Sequence, residues 1–257
     1  MKTNLHTHTY RCGHASGSAE EYIIRAIENG ITVLGFSEHV PFLFPNGEEN
    51  LTHLQLKDVK DYFTELRLLR EKYKDKINIH IGYEMEYFPQ YFKEMYSMAK
   101  EQGAEYLLLG QHRVGNEYPC GHWIGMVRRP VEDLVEYVDY SIAGMKTGVF
   151  TYLCHPDIID ATDDMERYIA EMTRLCMAAK EYDMPLEINF FGIRDNRFYP
   201  FEEFWKIAGS IGCKAVFGFD AHDILAAYDG DSIPVAERIV SKYGLELVRD
   251  PQIVTLP

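Results

Sequence analysis

Residues 3–39 read TNLHTHTYRCGHASGSAEEYIIRAIENGITVLGFSEH, and this stretch predicts a strand, a helix and a second strand. The short apolar segments Thr3–His8 and Val33–Glu38 are typical of strands. Between them, Ala19–Asn29 has helical periodicity, and Ser18 begins a capping box in front of it. Because two strands joined through a helix usually pair in parallel by a right-handed crossover, the stretch indicates an α/β fold.

The same alternation of strand and helix continues to the end of the chain. The predicted strands are Thr3–His8, Val33–Glu38, Asn78–Glu86, Tyr106–His112, Phe150–His155, Leu186–Asn189, Ala215–Asp220 and a short Glu246–Val248. The predicted helices are Ala19–Asn29, Lys57–Tyr73, Tyr91–Gln102, Pro130–Lys146, Asp164–Tyr182, Phe201–Ile211 and Pro234–Tyr243. Seven or eight such units over residues 1–257 suit a single-domain (β/α) barrel, and an open doubly wound sheet is the alternative.

The composition is that of a globular protein, since 46% of the 257 residues are hydrophobic and 26% are charged. The net charge of −14 disfavours nucleic acid as a partner, because its phosphates would be repelled. No apolar run has the length of a membrane span or of a signal peptide, so we expect a cytoplasmic protein without membrane contact. The cysteines form no C-x-x-C pair, which argues against disulfides and thiolate zinc sites. They are Cys12, Cys120, Cys154, Cys176 and Cys213.

Side chains that commonly bind metals lie at or just beyond the carboxyl ends of the predicted strands, and they include seven of the ten histidines. In a parallel barrel these ends face one mouth, where active sites are built. Because His6 and His8 are two residues apart on a strand, their side chains point the same way. The positions are His6, His8, His14, His39, Glu84, Glu86, His112, His155, Glu187, Asp220 and His222.

One histidine at a strand end is commonly just hydrogen-bonded, and it is the whole constellation that predicts a metal centre. Imidazoles and carboxylates without thiolates suit Zn²⁺, Mn²⁺ or Fe²⁺. The donors exceed the needs of one ion, so we expect two or three divalent metal ions with a bridging carboxylate, an arrangement that suits displacement at phosphorus. The other histidines carry no such prediction: His53 lies in a polar loop, His80 lies within a strand, and His122 is ambiguous between surface and substrate contact.

Six short motifs follow one another along the chain: HTHTYRCGH (6–14), GFSEH (35–39), GYEME (82–86), GQH (110–112), CHPD (154–157) and GFDAH (218–222). In type and order they resemble those of the PHP (polymerase and histidinol phosphatase) superfamily. The segments TYRCGHASG (9–17), GFSEHVPF (35–42) and LEINFFGIRDNRFYP (186–200) resemble the monofunctional histidinol-phosphate phosphatases of histidine biosynthesis in particular. The resemblance implies a distorted seven-stranded (β/α)7 barrel and a phosphomonoesterase of the histidinol-phosphatase type.

The resemblance also implies a trinuclear metal site whose ligands can be carried over motif by motif. One metal would take His6, His8, Glu84 and Asp220; a second would share Glu84 and add His112 and His155; the third would take His14, His39 and His222. Glu86 competes with Glu84 for the bridging role, and the G-x-E spacing favours Glu84. A hydroxide that bridges two metals would attack phosphorus, and the third metal would hold a phosphoryl oxygen or the leaving group.

The catalytic residues implied are Glu84, Asp220 and His222. The proton donor to the leaving group stays open among Asp220, His222 and a metal-bound water. For substrate binding we predict Arg194, which matches an arginine of the histidinol phosphatases, together with Arg197, Arg113, Glu187 and His122. Arginine suits phosphate because its planar fork pairs with two oxygens. Glu187 could meet a substrate amine or support a metal-binding histidine. Aromatic residues of the loop Gly115–Gly125, namely Tyr118, His122 and Trp123, could stack on an imidazole ring.

Several functions compete with hydrolysis of L-histidinol phosphate. The same metals could act on another small phosphomonoester, a nucleotide or a phosphotyrosine peptide, whereas the acidic charge disfavours a DNA-proofreading role. The intact ligand set argues against a non-catalytic metal-binding protein. An amidohydrolase-like barrel usually needs a carboxylated lysine, and no lysine lies at a strand end here. We therefore expect a small-molecule phosphomonoester as the partner of a monomer or homodimer.

Overall fold

An eight-stranded parallel sheet flanked by helices forms the centre of the protein, whose computed structural model describes residues 1–115 and 121–256. The strands are β1 (Thr3–Asn4), β2 (Val33–His39), β3 (Asn78–Met85), β4 (Leu107–Leu109), β5 (Arg113–Val114), β6 (His122–Trp123), β7 (Phe150–Leu153), β8 (Leu186–Asn189), β9 (Lys214–Gly218) and β10 (Glu246–Leu247). The helices are α1 (Ala19–Glu28), α2 (Val59–Tyr73), α3 (Phe92–Gln102), α4 (Val131–Lys146), α5 (Met165–Glu181), α6 (Phe190–Arg194), α7 (Glu202–Ile211) and α8 (Ile233–Tyr243).

The strand order in the sheet is β1-β2-β3-β4-β7-β8-β9-β10, and every neighbouring pair is parallel. Beyond the ends of β1 and β9, Thr7 forms an isolated parallel bridge with Ala221, so the sheet curls until its first and ninth strands approach each other. The α/β class and the parallel pairing are confirmed. The seven strands that the resemblance implies are not confirmed: the sheet has eight within the described residues, and the eighth is β10, predicted as the short strand Glu246–Val248, which lies beside β9.

Local signals placed most elements correctly and missed the shortest ones. The capping box of α1 is confirmed, since Ser18 and Glu21 exchange hydrogen bonds at the start of the helix. The antiparallel hairpin of β5 and β6 was not predicted, because two-residue strands are too short to show periodicity. The five-residue α6 was also missed, although the Asn189 side chain accepts a hydrogen bond from the backbone N–H of Gly192 and so caps it. Among the described residues, no helix has the length and apolarity needed to cross a membrane.

On the inner face of the curled sheet, the β4 and β9 segments carry apolar side chains first and site residues further along. A small apolar cluster occupies one part of it, and the alternation of side chains then puts site residues further along the same face. On the β4 segment, Leu108 is followed on that face by Gly110 and His112; on the β9 segment, Val216 is followed by Gly218 and Asp220. The cluster consists of Leu5, Tyr106, Leu108, Tyr152, Cys154 and Val216. It therefore forms an apolar floor beneath the carboxyl ends of the strands.

The half-buried carboxylate of Glu105 lies just before β4, away from the carboxyl ends of the strands, and it contacts both α2 and β3. Glu105 pairs with Arg70 of α2 and lies 3.6 Å from Nδ1 of His80, and it accepts a hydrogen bond from the backbone N–H of Ile81 at 3.2 Å. Burial raises the pKa of Glu105, but its interactions with His80 and Arg70 outweigh burial and lower the pKa to about 2. The ionised form is therefore favoured by folding.

We predict that Glu105→Gln lowers the free energy of unfolding at pH 7 by about 1 kcal/mol, a value reduced for solvent screening. Because the folded pKa lies below the ordinary value of 4.5, the stabilisation is complete above about pH 4.5 and is lost as the pH falls towards 2. Urea denaturation at several pH values should show the gap between wild type and variant closing between pH 5 and pH 2. The control Glu71→Gln removes an exposed partner of Lys74 and should change little. A gap that does not depend on pH would contradict the prediction.

Candidate metal centre and active site

Four donor atoms from three segments converge at the carboxyl ends of the strands. Nε2 of His6 lies 3.4 Å from Oε2 of Glu84 and 3.4 Å from Oδ1 of Asp220. Nε2 of His8 lies at the same two distances from the same two oxygens. All four side chains are buried. The segments after β1 and β9 and the end of β3 therefore bring two imidazoles and two carboxylates to one point.

The spacing of these atoms fits a bound cation. Zinc bonds to imidazole and carboxylate of about 2.0–2.2 Å imply tetrahedron edges of about 3.3–3.6 Å, and the four distances of 3.4 Å fall in that range. Nε2 of His6, Nε2 of His8 and Oε2 of Glu84 are buried without a hydrogen-bond partner among the described residues. Because buried polar atoms are nearly always satisfied, these three atoms suit a metal ion as their common partner.

The Glu84 carboxylate also serves a second group of histidines through its other oxygen. Oε1 lies 2.9 Å from Nε2 of His155 and 3.4 Å from Nε2 of His112. The first oxygen, Oε2, also faces a third imidazole, since it lies 3.0 Å from Nδ1 of His39. Glu84 can therefore bridge two cations, which is the arrangement predicted for it. Glu86 is buried elsewhere, where its Oε1 accepts the backbone N–H of His112 at 3.1 Å.

The histidines predicted for a third metal lie together but in overlapping groups. The ring centroids of His14 and His222 are 4.7 Å apart. Donor atoms of His39 and His222 come within 4.8 Å of one another and of His8, whereas His14 and His222 form such a group with Cys12. Burial raises the pKa of the Cys12 thiol to about 12, so it stays protonated at neutral pH. The predicted set of His14, His39 and His222 stays a prediction.

Two further carboxylates lie behind the first pair of histidines. Oε1 of Glu187, on β8, lies 2.8 Å from Nδ1 of His6. Oε2 of Glu38, on β2, lies 3.7 Å from Nδ1 of His8, while its Oε1 accepts the backbone N–H of Thr9 at 2.7 Å. A carboxylate at Nδ1 fixes the tautomer and turns Nε2 towards the centre. Glu38, which lies inside the GFSEH motif, had no predicted role, because sequence alone does not show which side chain stands behind another.

Glycines beside the centre leave room for the carboxylates. A Cβ atom added at Gly110 would overlap Oε1 of Glu84, and one added at Gly218 would overlap Oε1 of Glu187. Two site residues also have a left-handed backbone, His155 with φ 30° and Asp220 with φ 46°. Such conformations are costly for residues other than glycine and persist where the surrounding structure imposes them. The two glycines and the two left-handed residues therefore let the side chains of the site come together.

The charges of the centre are strongly coupled. Burial lowers the pKa of His8, but the nearby carboxylates of Asp220, Glu38 and Glu84 outweigh it and raise the pKa to about 9. Burial together with the charge of His8 lowers the pKa of His39 to about 4. Burial raises the pKa of Glu84, but the surrounding histidines hold it well below its ordinary value. A divalent cation held by the same atoms would take the place of protons on the imidazoles.

A cavity of about 330 Å³ opens directly onto the histidines of the centre. Two connecting segments contribute to its walls: the segment between β2 and α2 through Thr52 and His53, and the segment between β4 and α4 through Arg113, Trp123 and Met126. Its other lining residues are His14, His39, His112, His155, Ile158, Phe191, Arg197, Tyr199, Asp220 and His222. The indole of Trp123 stacks on His112 with the two rings 2° from parallel. The cavity therefore combines histidines that are predicted to bind metal, two guanidinium groups and an apolar wall.

Three of the residues predicted to bind substrate, Arg194, Glu187 and His122, do not line this cavity. Arg194 donates to the carbonyl oxygens of Phe219 and Asp220 and to the Asp229 carboxylate, so it braces the segment after β9. Glu187 is fully buried behind His6 and cannot reach a substrate amine.

His122 has an exposed side chain that faces Asp133 at 3.4 Å and does not line the cavity. The structure does place Arg113 and Arg197 in the cavity wall. Tyr118, predicted to stack on a substrate ring, lies outside the described residues. His53 was assigned to a polar loop without a role, yet it is nine-tenths buried and lines the cavity. No local signal distinguished it, because the contact depends on the path of the whole loop.

Comparison with known proteins gives a consistent result. A model of the PHP domain family matches residues 4–190. A "Probable histidinol-phosphatase" of Deinococcus radiodurans is 22% identical over 231 residues, which are 84% of this chain and 85% of that protein. A protein of the same name from Schizosaccharomyces pombe is 34% identical over 127 residues, 45% of this chain and 40% of that protein.

Among solved structures, the histidinol phosphate phosphatase of Lactococcus lactis, in complex with zinc, L-histidinol and phosphate, superposes with a TM-score of 0.73. It is 20% identical, and the match covers 98% of this chain and 97% of that one. At this identity the likeness shows the fold. The family match extends over well more than half of the sequence, and the chain therefore belongs to the PHP domain family, as its six motifs predict.

Proposed function

We propose that this protein hydrolyses L-histidinol phosphate to L-histidinol and phosphate in histidine biosynthesis, at a centre of two or three divalent cations. The protein is a phosphomonoesterase, as its family and its histidinol-phosphatase relatives indicate. The substrate is carried over from those names and from the zinc, histidinol and phosphate present in the Lactococcus lactis structure.

The observation that carries the proposal is the position of the Glu84 carboxylate beside the cavity. Its two oxygens face two groups of imidazoles, and the spacing around Oε2 fits a tetrahedral cation. The wall of the same cavity holds Arg113 and Arg197. A phosphoryl group near the bridging carboxylate would therefore meet cations on one side and guanidinium groups on the other.

Divalent cations bound here would activate water for attack at phosphorus and neutralise charge on the phosphoryl oxygens. The residues that would hold them are His6, His8, His14, His39, Glu84, His112, His155, Asp220 and His222. Arg113 and Arg197 would bind phosphoryl oxygens through their planar forks. The Arg197 guanidinium lies over the Phe191 ring at 4.1 Å, which directs it along the cavity wall.

The remaining cavity residues would act on the alcohol portion of the substrate. Trp123, Phe191 and Tyr199 offer flat or apolar surface on which an imidazole ring could pack. Asp220 and His222, two of the predicted candidates for the proton donor to the departing alkoxide, lie on this wall, and Nδ1 of His222 lies 3.3 Å from Oδ1 of Asp220. Glu187 would act indirectly, because it holds His6 in the orientation that its role as a ligand requires.

The first test is steady-state release of phosphate from L-histidinol phosphate, beside nucleotides, sugar phosphates and phosphotyrosine, with Mn²⁺ or Zn²⁺ present. We expect kcat/KM for L-histidinol phosphate to exceed the others by at least about 10³-fold, because a cavity built around polar partners rejects analogues that leave those partners unpaired. Slow and comparable turnover of every compound would leave a phosphomonoesterase whose natural substrate is a different one.

We predict that His8→Ala removes at least one equivalent of metal and lowers kcat/KM at least about 100-fold, because a ligand shared with both carboxylates is lost. Metal content by mass spectrometry and turnover should be measured on the same folded sample. The control His80→Ala replaces a histidine near the other end of β3, which faces Glu105 and lies outside the cavity. Wild-type turnover in a folded His8→Ala protein would overturn the ligand assignment.

We predict that Glu187→Gln lowers metal affinity or kcat about 10- to 100-fold while the protein stays folded. The Glu187 oxygens accept the backbone N–H of His155 at 3.0 Å and the Asn189 amide at 2.8 Å, besides contacting His6. A glutamine must turn its NH₂ group towards one of these partners, so one contact is lost. Apparent metal affinity from titration of the metal-free protein is the readout, and an affinity equal to wild type would contradict the prediction.

A further inference from the structure

His53 is the one histidine of the cavity wall, within the described residues, that belongs to no metal-ligand group. Its ring is nine-tenths buried and stacks on His39, with centroids 5.1 Å apart and planes 22° from parallel. Nδ1 of His53 lies 2.9 Å from the carbonyl oxygen of Val40, which accepts its proton. That hydrogen bond fixes the tautomer and leaves Nε2 with a lone pair.

The loop between β2 and α2 holds His53 firmly in this position. The backbone N–H of His53 donates to the carbonyl of Asn50 at 3.0 Å, and the N–H of Leu54 donates to the carbonyl of His39 at 3.2 Å. The Gln55 amide then donates to the carbonyls of Asn50 and His53, at 2.9 Å and 2.7 Å. The ring is therefore held in place before any substrate arrives, which reduces the entropy cost of using it in recognition.

The free ring nitrogen suits a donor on the substrate and not a phosphate. Within residues 1–115 and 121–256, the ring hydrogen bond of His53 is the one made by Nδ1. A lone pair would repel phosphoryl oxygens, whereas it can accept a hydrogen bond from an N–H or O–H group. The guanidinium groups of Arg113 and Arg197 are the better partners for phosphate.

We propose that His53 is a specificity-determining residue whose Nε2 accepts a hydrogen bond from an N–H group on the alcohol portion of the substrate. The substrates selected would be phosphomonoesters of amino alcohols or of alcohols bearing an N–H heterocycle. This inference rests on the proposed function, and it adds that Nε2 of His53 is the atom that recognises the alcohol portion of the substrate. An acceptor that loses its water when a substrate binds, and that other phosphomonoesters leave unpaired, would select against them.

Two substitutions separate the two nitrogen atoms of the ring. In His53→Asn the side-chain amide can still donate to Val40, but no atom occupies the position of Nε2. In His53→Gln the longer side chain places an oxygen acceptor near that position. We expect His53→Asn to raise KM for L-histidinol phosphate about 10- to 100-fold with a smaller effect on kcat, and His53→Gln to regain most of the loss. His80→Asn serves as the matched control, since His80 lies outside the cavity.

A second readout uses p-nitrophenyl phosphate, which carries no N–H group, as the reporter substrate. The inhibition constant of L-histidinol should rise at least tenfold in His53→Asn relative to that of inorganic phosphate, with metal content equal to wild type. Equal changes in both inhibition constants, a loss of metal, or equal behaviour of the Asn and Gln variants would overturn the inference.

Failure of the proposed function would be seen differently, in the wild-type protein alone. A wild type that hydrolyses L-histidinol phosphate no faster than p-nitrophenyl phosphate would refute the proposed substrate. A wild type that prefers L-histidinol phosphate, beside a His53→Asn variant with the same preference, would overturn only the role given to His53.

Discussion

The arrangement of the protein depends on one buried carboxylate, that of Glu84. Its side chain is almost inaccessible to solvent, and each of its oxygens faces imidazoles that come from other segments of the sheet. A buried carboxylate without compensating partners costs several kcal/mol, so the chain must bring those partners to it. A parallel sheet can do this because all its carboxyl ends lie on one side. The need to pair the Glu84 carboxylate therefore constrains both the topology of the sheet and the side chains at its carboxyl ends.

That constraint explains features that would otherwise weaken the fold. Glycine at position 110 or 218 contributes no packing to a strand, yet any side chain there would displace the Glu84 or Glu187 carboxylate. The left-handed backbone at His155 and Asp220 is likewise costly and aims both side chains at the centre. The apolar floor around Tyr106 and Leu108 lies next to the charged atoms and keeps water from one side of them. Since electrostatic interactions strengthen in such surroundings, cation binding and folding should be coupled.

Residues borne on strands could be predicted from sequence, and those that depend on distant loops could not. Glu84, on β3, and His6 and His8, just after the short β1, follow from strand direction and the two-residue repeat, which are local properties. Arg194 lies in the expected segment, yet its guanidinium turns towards the backbone after β9, because carbonyl groups there need a donor. Glu187 was placed on the correct face but stands behind His6, a matter of depth that periodicity does not encode. The eighth strand was anticipated as a short segment, but its place beside β9 requires knowledge of the pairing.

The division between strand and loop residues also bears on substrate choice within the family. Strand ends supply the carboxylates and most of the imidazoles, and these can change little without leaving a charge unpaired. The loops after β2 and β4 supply Thr52, His53, Arg113 and Trp123, whose replacement would leave the strand-borne carboxylates paired. On the proposed function, selection among phosphomonoesters would lie in the second set, where His53, held by its own loop, would offer a ring nitrogen to the substrate.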